Sequence, residues 1–169
     1  CLYNYSIYQL MQTTFSCIIV DDNEVARLNA VSFIRKYSFL RIDGVFDTAA
    51  AALEMAQNNP PDVLLLDIDM PGLSGLELRE KLLHIPACIF ITSYPDYAIE
   101  GFEKDALDFL VKPIKAERFA KAMERLKEYL IIHKKAALLD DAMDGDTIFI
   151  KDGYDKIKIQ LHDVIYLEA

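Results

Sequence analysis

The chain has 169 residues, of which 53% are hydrophobic and 27% are charged, and this composition excludes intrinsic disorder and low-complexity sequence. Its 18 basic and 27 acidic residues give a net charge of −9, which argues against nucleic-acid binding by the chain as it stands. The apolar runs are far shorter than the roughly 20 residues of a membrane span. We therefore expect a soluble globular protein without membrane contact.

From residue 15 onward, short apolar runs alternate with amphipathic stretches. The apolar runs predict five strands, at Phe15–Val20, Leu40–Phe46, Val63–Asp67, Cys88–Thr92 and Asp108–Val111. The amphipathic stretches predict helices at Glu24–Tyr37, from Asp47 or Thr48 through Asn58, from Ser74 or Gly75 through about His84, at Tyr97–Lys104 and at Ala116–His133. This alternation predicts an α/β fold, with a parallel sheet covered by helices on both faces.

The two ends of the chain depart from this pattern. Residues 1–13 are interpreted as an N-terminal extension, residues 14–133 as the α/β domain and residues 134–146 as an acidic linker, although the last helix could instead extend through them as a rigid connector. Further short strands are predicted at Thr147–Lys151, Lys156–Gln160 and Asp163–Leu167. Because so few strands cannot bury a core alone, residues 147–169 are interpreted as the start of an incomplete second domain.

The three cysteines have no metal-ligand spacing. Cys17 and Cys88 lie within predicted strands, whereas Cys1 lies in the extension. We therefore expect buried free thiols rather than a disulfide, which fits a reducing cytoplasm.

Polar side chains follow four of the predicted strands. Asp21 and Asp22 come after the first strand, Asp67 ends the third, Thr92 ends the fourth and Lys112 follows the fifth. The carboxyl ends of parallel strands meet at one edge of a sheet, so we expect these groups to converge in one crevice. Three carboxylates packed together repel one another, which raises their pKa values, and a bound divalent cation offsets this repulsion. Oxygen ligands at this density suit Mg²⁺.

A carboxylate beside Mg²⁺ is an arrangement suited to phosphoryl transfer. We assign Asp67 as the nucleophile that attacks phosphorus and forms an acyl phosphate. Asp21 and Asp22 are expected to bind the metal together with Asp67, and the backbone carbonyl of Asp69 is a further expected ligand.

The hydroxyl and the ammonium complete this assignment. Thr92 and Lys112 are expected to contact the phosphoryl oxygens, where positioning and electrostatics supply most of the rate. A cis peptide bond is expected between Lys112 and Pro113, so that the ammonium can reach the crevice.

Together these residues resemble the receiver domain of two-component response regulators. The motifs that carry the resemblance are Asp21-Asp22, Leu65–Pro71 with Gly75, Ile91–Ser93 and Phe109–Pro113. The resemblance covers about residues 15–130 and implies a flavodoxin-like sheet of five parallel strands in the order 2-1-3-4-5. It also implies a sensor histidine kinase as phosphoryl donor, and a phosphoacceptor with weak self-dephosphorylation rather than an enzyme.

The same resemblance implies a switch. Phosphorylation of Asp67 would change the face formed by the helix before the fifth strand, that strand and the helix after it, and a homodimer is expected to form through this face. Thr92 would move toward the phosphoryl group and Phe109 would turn inward. The family often has Tyr where this chain has Phe109, so a hydroxyl-mediated contact is absent here.

The C-terminal residues resemble the opening strands of the LytTR DNA-binding domain. Ile148–Gly153 and Asp163–Ala169 carry this resemblance, and Tyr94–Ala98 and Ala106–Phe109 are similar to receivers joined to that module. The resemblance implies a transcriptional regulator that contacts DNA only in its full-length form.

Two alternatives stay open. Asp67-Ile68-Asp69 is also similar to the Asp-x-Asp start of haloacid-dehalogenase-like phosphatases, but those enzymes need Thr or Val where this chain has Pro71, and their nucleophile ends the first core strand. The second alternative is a receiver-like module that signals by docking without phosphate. An intact acidic cluster argues against it, because such a cluster is costly unless metal or phosphate uses it.

Overall fold

The structure is a computed structural model that describes residues 13–94, 106–144, 147–152 and 155–160, with side chains described up to residue 137. The chain divides into two compact units, Cys1–Ile131 and Ile132–Ala169, and each is described by itself. In the described ranges, no helix is long and apolar enough to cross a membrane.

A five-stranded parallel sheet forms the centre of the first unit. Its strands are β1 (Phe15–Val20), β2 (Leu40–Phe46), β3 (Val63–Asp67), β4 (Ala87–Thr92) and β5 (Asp108–Val111). They lie in the order β2-β1-β3-β4-β5, which is the flavodoxin-like order that the resemblance to receiver domains implies. Every residue of β1, β3 and β4 is buried, because these central strands are covered on both faces.

Four helices are described. They are α1 (Glu24–Ile34), α2 (Ala49–Asn58), α3 (Gly75–Lys81) and α4 (Ala116–Asp144). Asn23, Thr48 and Ser74 cap the first three, each side-chain oxygen accepting a backbone N–H of the first turn. The helix predicted at Tyr97–Lys104 lies outside the described residues.

Two of these helices are shorter than predicted. The sequence predicts that α1 runs to Tyr37 and α3 to about His84, but they end at Ile34 and Lys81. At the end of α3, the buried Arg79 guanidinium donates to the carbonyls of Leu82 and Ile85. These bonds add to the backbone bonds of the turn after α3, where the N–H of Ile85 donates to the carbonyl of Leu82, and they stabilise the turn toward β4.

The helices pack against both faces of the sheet, as predicted. On one face, α4 buries apolar side chains spaced three and four residues apart, namely Phe119, Ala122, Met123, Leu126 and Leu130. On the other face, α2 presents the buried small residues Ala49, Ala52 and Ala56, which allow the helix to approach the sheet closely.

The long helix α4 corrects the predicted linker. The sequence analysis ends this helix at His133 and assigns residues 134–146 to a linker, whereas the structure continues the helix to Asp144. Residues 134–144 contain no glycine or proline and are rich in Ala, Leu and Lys, which favour helix. The alternative of helical extension is therefore the one observed, while the domain limits themselves stay a prediction.

The second unit contains an antiparallel hairpin. Its strands are β6 (Thr147–Asp152) and β7 (Asp155–Gln160), paired from Thr147 opposite Gln160 to Asp152 opposite Asp155. This confirms the first two of the three strands predicted there. The third predicted strand, Asp163–Leu167, and residues 1–12 of the predicted extension lie outside the described residues.

Cys17 and Cys88 are both buried, and neither is joined in a disulfide bond, as predicted. Burial raises the pKa of the Cys17 thiol from 9.0 to about 12, and the nearby charge of Asp43 adds to this effect. Because the pKa is raised in the folded state, the contribution of this thiol to stability is complete below pH 9.0 and is lost as the pH rises toward 12.

We expect that iodoacetamide at pH 8 will leave Cys17 unmodified in the folded protein and will alkylate it in urea. The physical reason is that the thiolate, which is the reactive form, is suppressed and shielded by burial. Peptide mapping by mass spectrometry after timed reaction measures this. Alkylation at equal rates with and without urea would contradict the prediction.

Candidate functional site

Three aspartates meet at the carboxyl edge of the sheet. Val20 of β1 pairs with Leu66 of β3, so the next residues, Asp21 and Asp67, lie side by side. Carboxylate oxygens of Asp21, Asp22 and Asp67 all lie within 4.8 Å of one another. Asp21 and Asp67 are buried, whereas Asp22 is exposed. The structure therefore brings together the three carboxylates that the sequence places after β1 and at the end of β3.

Lys112 provides a positive charge to this cluster. Its Nζ lies 2.7 Å from Oδ2 of Asp21 and 3.1 Å from Oδ2 of Asp67. Its backbone N–H donates to the carbonyl of Thr92 at 2.8 Å, which continues the pairing of β5 with β4 by one residue. The Lys112–Pro113 peptide bond is cis, as predicted. The ammonium thus bridges two buried carboxylates.

Burial and charge act in opposite directions on these groups. Burial raises the pKa of Asp67 and the charge of Asp21 raises it further, while Lys112 opposes both effects. Burial would lower the pKa of Lys112, but its hydrogen bond to Asp21 and the charges of Asp21 and Asp67 outweigh burial and raise it. The cluster has three carboxylates, and the Lys112 ammonium contacts two of them, so an excess of negative charge remains. That donor set suits a divalent cation such as Mg²⁺.

The backbone of α3 packs directly on the chain of Asp67. The N–H of Gly75 donates to the carbonyl of Ile68 at 3.0 Å. A Cβ atom added to Gly75 would lie 1.9 Å from the backbone oxygen of Asp67, which is a severe overlap. Gly75 is part of the motif noted in the sequence, and the structure provides the physical reason for a glycine there.

The loop after β1 is held by two residues that no sequence motif indicated, Asn23 in the loop and Arg27 in α1. The N–H of Asn23 donates to Oδ1 of Asp21 at 2.9 Å. The guanidinium of Arg27 donates to the backbone carbonyls of Asp21 and Asp22. An asparagine at a helix start is a capping signal, but nothing in a single sequence shows that a residue of the first turn reaches back to this loop.

The remaining predicted site residues divide into two groups. Asp69 lines the same crevice as the acidic cluster and Lys112, a space of about 820 Å³ that extends along α1. Thr92 is fully buried at the end of β4, where its hydroxyl accepts the N–H of Tyr94 at 3.1 Å. Phe109 packs on Phe90, with 5.4 Å between ring centroids. Neither Thr92 nor Phe109 is among the described residues that line the crevice, so their roles stay predictions.

Removal of the Lys112 ammonium is expected to destabilise the metal-free protein at neutral pH. Lys112→Ala leaves two buried carboxylates without their bridging cation, at a cost of about 1–3 kcal/mol. Lys112 lowers the pKa of Asp67, so this pKa rises further in the variant. A carboxyl with a raised folded-state pKa loses its contribution to stability as the pH increases, so the deficit should grow from pH 4 to pH 8.

Thermal unfolding in EDTA at several pH values measures this effect. Lys115→Ala is the matched control, because Lys115 is an exposed lysine three residues away. A deficit for Lys112→Ala that is equal at pH 4 and pH 8 would contradict the electrostatic explanation.

Comparison with known proteins identifies the family. Residues 17–124 match the family model of the response regulator receiver domain. The chain belongs to this family. Asp67, the residue assigned as nucleophile, ends the third strand of a receiver fold, which disfavours the alternative of a haloacid-dehalogenase-like phosphatase.

The relatives of this receiver include transcriptional regulators. The chain is 40% identical over 155 residues to the transcriptional regulatory protein BtsR of Escherichia coli strain K12, which covers 90% of this chain and 64% of that protein. The chain therefore spans less than two thirds of the length of this relative.

Solved receiver structures share the fold. The response regulatory domain of MrkE from Klebsiella pneumoniae is 31% identical with a TM-score of 0.63, and the match covers 68% of this chain and 97% of that domain. The receiver domain of the putative response regulator NarL from Mycobacterium tuberculosis is 25% identical with a TM-score of 0.60, covering 69% of this chain and 98% of that domain.

Proposed function

We propose that this receiver accepts a phosphoryl group on Asp67 from a sensor histidine kinase and controls an attached DNA-binding domain. The observation that carries the proposal is the clustering of the Asp21, Asp22 and Asp67 carboxylates within 4.8 Å, with the Lys112 ammonium against two of them. This arrangement combines a nucleophile with an ammonium and with carboxylates that can bind a cation, and both positive charges would neutralise a phosphoryl anion.

In the proposed transfer, a carboxylate oxygen of Asp67 attacks phosphorus and forms an acyl phosphate. The bond between phosphorus and the kinase histidine breaks, and the imidazole leaves with the electron pair of that bond. Lys112 lies within reach of the Asp67 carboxylate and would stabilise charge on the transferred oxygens, as would the Thr92 hydroxyl after a rearrangement. Attack by water on phosphorus would later break the bond to the Asp67 oxygen, release inorganic phosphate and return Asp67 to its carboxylate, so the protein would act as a slow switch rather than as an enzyme.

Mg²⁺ is the cofactor that this site fits. Asp21, Asp22, Asp67 and the backbone carbonyl of Asp69 would hold it, and the excess of carboxylates over cations in the cluster supports this assignment. Bound there, Mg²⁺ supplies positive charge that neutralises the transferring oxygens.

The proposed output of the switch involves β5. Thr92 and Phe109 would respond to phosphorylation and alter the face made by the segment before β5, β5 and α4, through which a homodimer would form. Exposed apolar side chains on β5 and α4, including Val111 and Tyr129, support an interaction at this face.

The full-length protein is proposed to be a cytoplasmic transcriptional regulator of the LytTR type. The similarity to the transcriptional regulatory protein BtsR and the β6–β7 hairpin that follows α4 support this proposal. DNA binding would reside in the part of such a protein that lies beyond this chain's receiver.

Intact-mass measurement after incubation with acetyl phosphate tests the central proposal. We expect one phosphoryl adduct per chain that forms with Mg²⁺ and is absent in EDTA. Without an adduct, titration with beryllofluoride and Mg²⁺ separates two cases. Binding of beryllofluoride indicates a working site that needs its own kinase, whereas no binding favours a docking module that works without phosphate.

A further inference from the structure

Arg27 reaches from the first turn of α1 back to the loop that contains the acidic pair. Its Nη1 donates to the backbone carbonyl of Asp21 at 2.8 Å and to that of Asp22 at 3.0 Å. Its own backbone N–H donates to the carbonyl of Asn23 at 3.0 Å, so Arg27 belongs to the helix start. One nitrogen therefore holds two consecutive peptide groups of the loop.

This position is electrostatically unfavourable for a cation in one respect. The N-terminus of a helix carries a partial positive charge, which disfavours arginine in the first turn. The contacts with two carbonyl groups compensate, because hydrogen bonds from a charged donor are stronger than those from a neutral one. The geometry thus points to a specific task for this side chain in the loop.

The two aspartates depend on Arg27 to different degrees. Asp21 is also held by its N–H bond to the carbonyl of Phe46, by the N–H of Asn23 at its Oδ1 and by Lys112 at its Oδ2. Asp22 is exposed, and the contact described for its backbone is the one from Arg27 to its carbonyl. Loss of Arg27 should therefore affect the placement of Asp22 most.

We propose that Arg27 is a positioning residue that sets the placement of the Asp21 and Asp22 carboxylates for binding a divalent cation. This inference rests on the proposed metal site, but it concerns a residue outside the set of ligands. Removal of a side chain that orients metal ligands without binding the metal itself typically lowers metal affinity by about 10–100-fold.

A positioning role and simple electrostatics predict opposite changes in cation affinity when Arg27 is removed. The positive charge of Arg27 lies beside the acidic cluster and repels a bound cation, so its removal would tighten metal binding if charge alone mattered. If Arg27 positions the loop, its removal weakens binding. We expect Arg27→Gln to weaken binding by about tenfold.

Mn²⁺ is the probe, because carboxylate and carbonyl oxygens suit it as they suit Mg²⁺, and its free ion is counted by electron paramagnetic resonance. Titrations use the 169-residue chain and its variants, each checked for folding by circular dichroism. Arg27→Lys keeps the charge and should bind with an affinity between those of the parent and Arg27→Gln. Arg27→Ala is a second neutral variant, and alanine has a high helix propensity. It replaces Arg27→Gln if the Arg27→Gln protein folds poorly.

Arg35→Gln is the matched control, because Arg35 is an exposed arginine at the other end of α1. It should leave Mn²⁺ affinity unchanged. Equal or tighter binding by the neutral Arg27 variants would overturn the positioning role. A different result would overturn the proposed metal site itself. In that case the parent protein would bind no Mn²⁺, or the Asp21→Asn variant would bind it as tightly as the parent does.

Discussion

Asp67→Asn should abolish the phosphoryl adduct that the parent protein forms with acetyl phosphate and Mg²⁺. An amide is a far poorer nucleophile than a carboxylate and cannot form the acyl phosphate, so the expected loss is complete rather than partial. The variant should stay folded, because Asn has nearly the same shape as Asp and removes one of three mutually repelling charges. Intact mass under denaturing conditions measures the adduct, and circular dichroism measures the fold.

Asp47→Asn is the control for this experiment. Asp47 is an exposed aspartate that follows β2 at the same edge of the sheet, and it is not a member of the acidic cluster. It should accept as much phosphate as the parent. One equivalent of acid-labile phosphate on Asp67→Asn would mean that another residue is the acceptor.

Gly75→Ala is expected to cause a large loss of stability. The added methyl group would lie 1.9 Å from the backbone oxygen of Asp67 and 2.9 Å from its carbonyl carbon. Backbone atoms cannot rotate away as a flexible side chain can, so the start of α3 or the end of β3 must move. We expect a decrease of about 3 kcal/mol in the free energy of unfolding, measured in urea, together with weaker beryllofluoride binding.

Gly72→Ala is the control that distinguishes destabilisation by steric overlap from destabilisation by backbone strain. Gly72 has a φ of 80°, which disfavours alanine, but a Cβ atom there meets nothing within 4 Å. It should cost about 1–2 kcal/mol and leave beryllofluoride binding intact. If Gly75→Ala were no more destabilising than Gly72→Ala, the contact with Asp67 would not be the reason for glycine at position 75.

The strands were predicted more accurately than the helix ends. Four of the five sheet strands have the predicted bounds, and β4 begins one residue earlier, at Ala87. A continuous apolar run is bounded sharply by the first polar residue, as at Asp67. A helix end depends instead on side-chain contacts that an apolar pattern does not show, such as the bonds from Arg79 to the carbonyls of Leu82 and Ile85 just after α3. The acidic residues near the end of α4 predict a linker, but the helix propensity of the neighbouring Ala, Leu and Lys residues favours the helix that the structure shows.

The sequence predicts which residues form most of the candidate site, but it does not predict their contacts with one another. Asp21, Asp22, Asp67, Asp69 and Lys112 share one crevice, as their positions at strand ends imply. Thr92 has its hydroxyl bonded to the N–H of Tyr94, a local contact that the strand pattern does not reveal. The roles of Thr92 and Phe109 depend on a rearrangement that phosphorylation would cause, so they stay predictions.

The sequence by itself determined the class of fold and the chemical groups at the sheet edge, because both follow from local patterns of apolar runs and from the residues that end them. Only the tertiary structure decided which groups touch, because those contacts depend on how the strands, helices and loops fold onto one another. Lys112 bridges Asp21 and Asp67, and Arg27 donates to the backbone carbonyls of Asp21 and Asp22. Gly75, which has no Cβ atom, allows the backbone of Asp67 to pack against it. Each contact depends on distances of a few ångströms set by the packing of strands and helices.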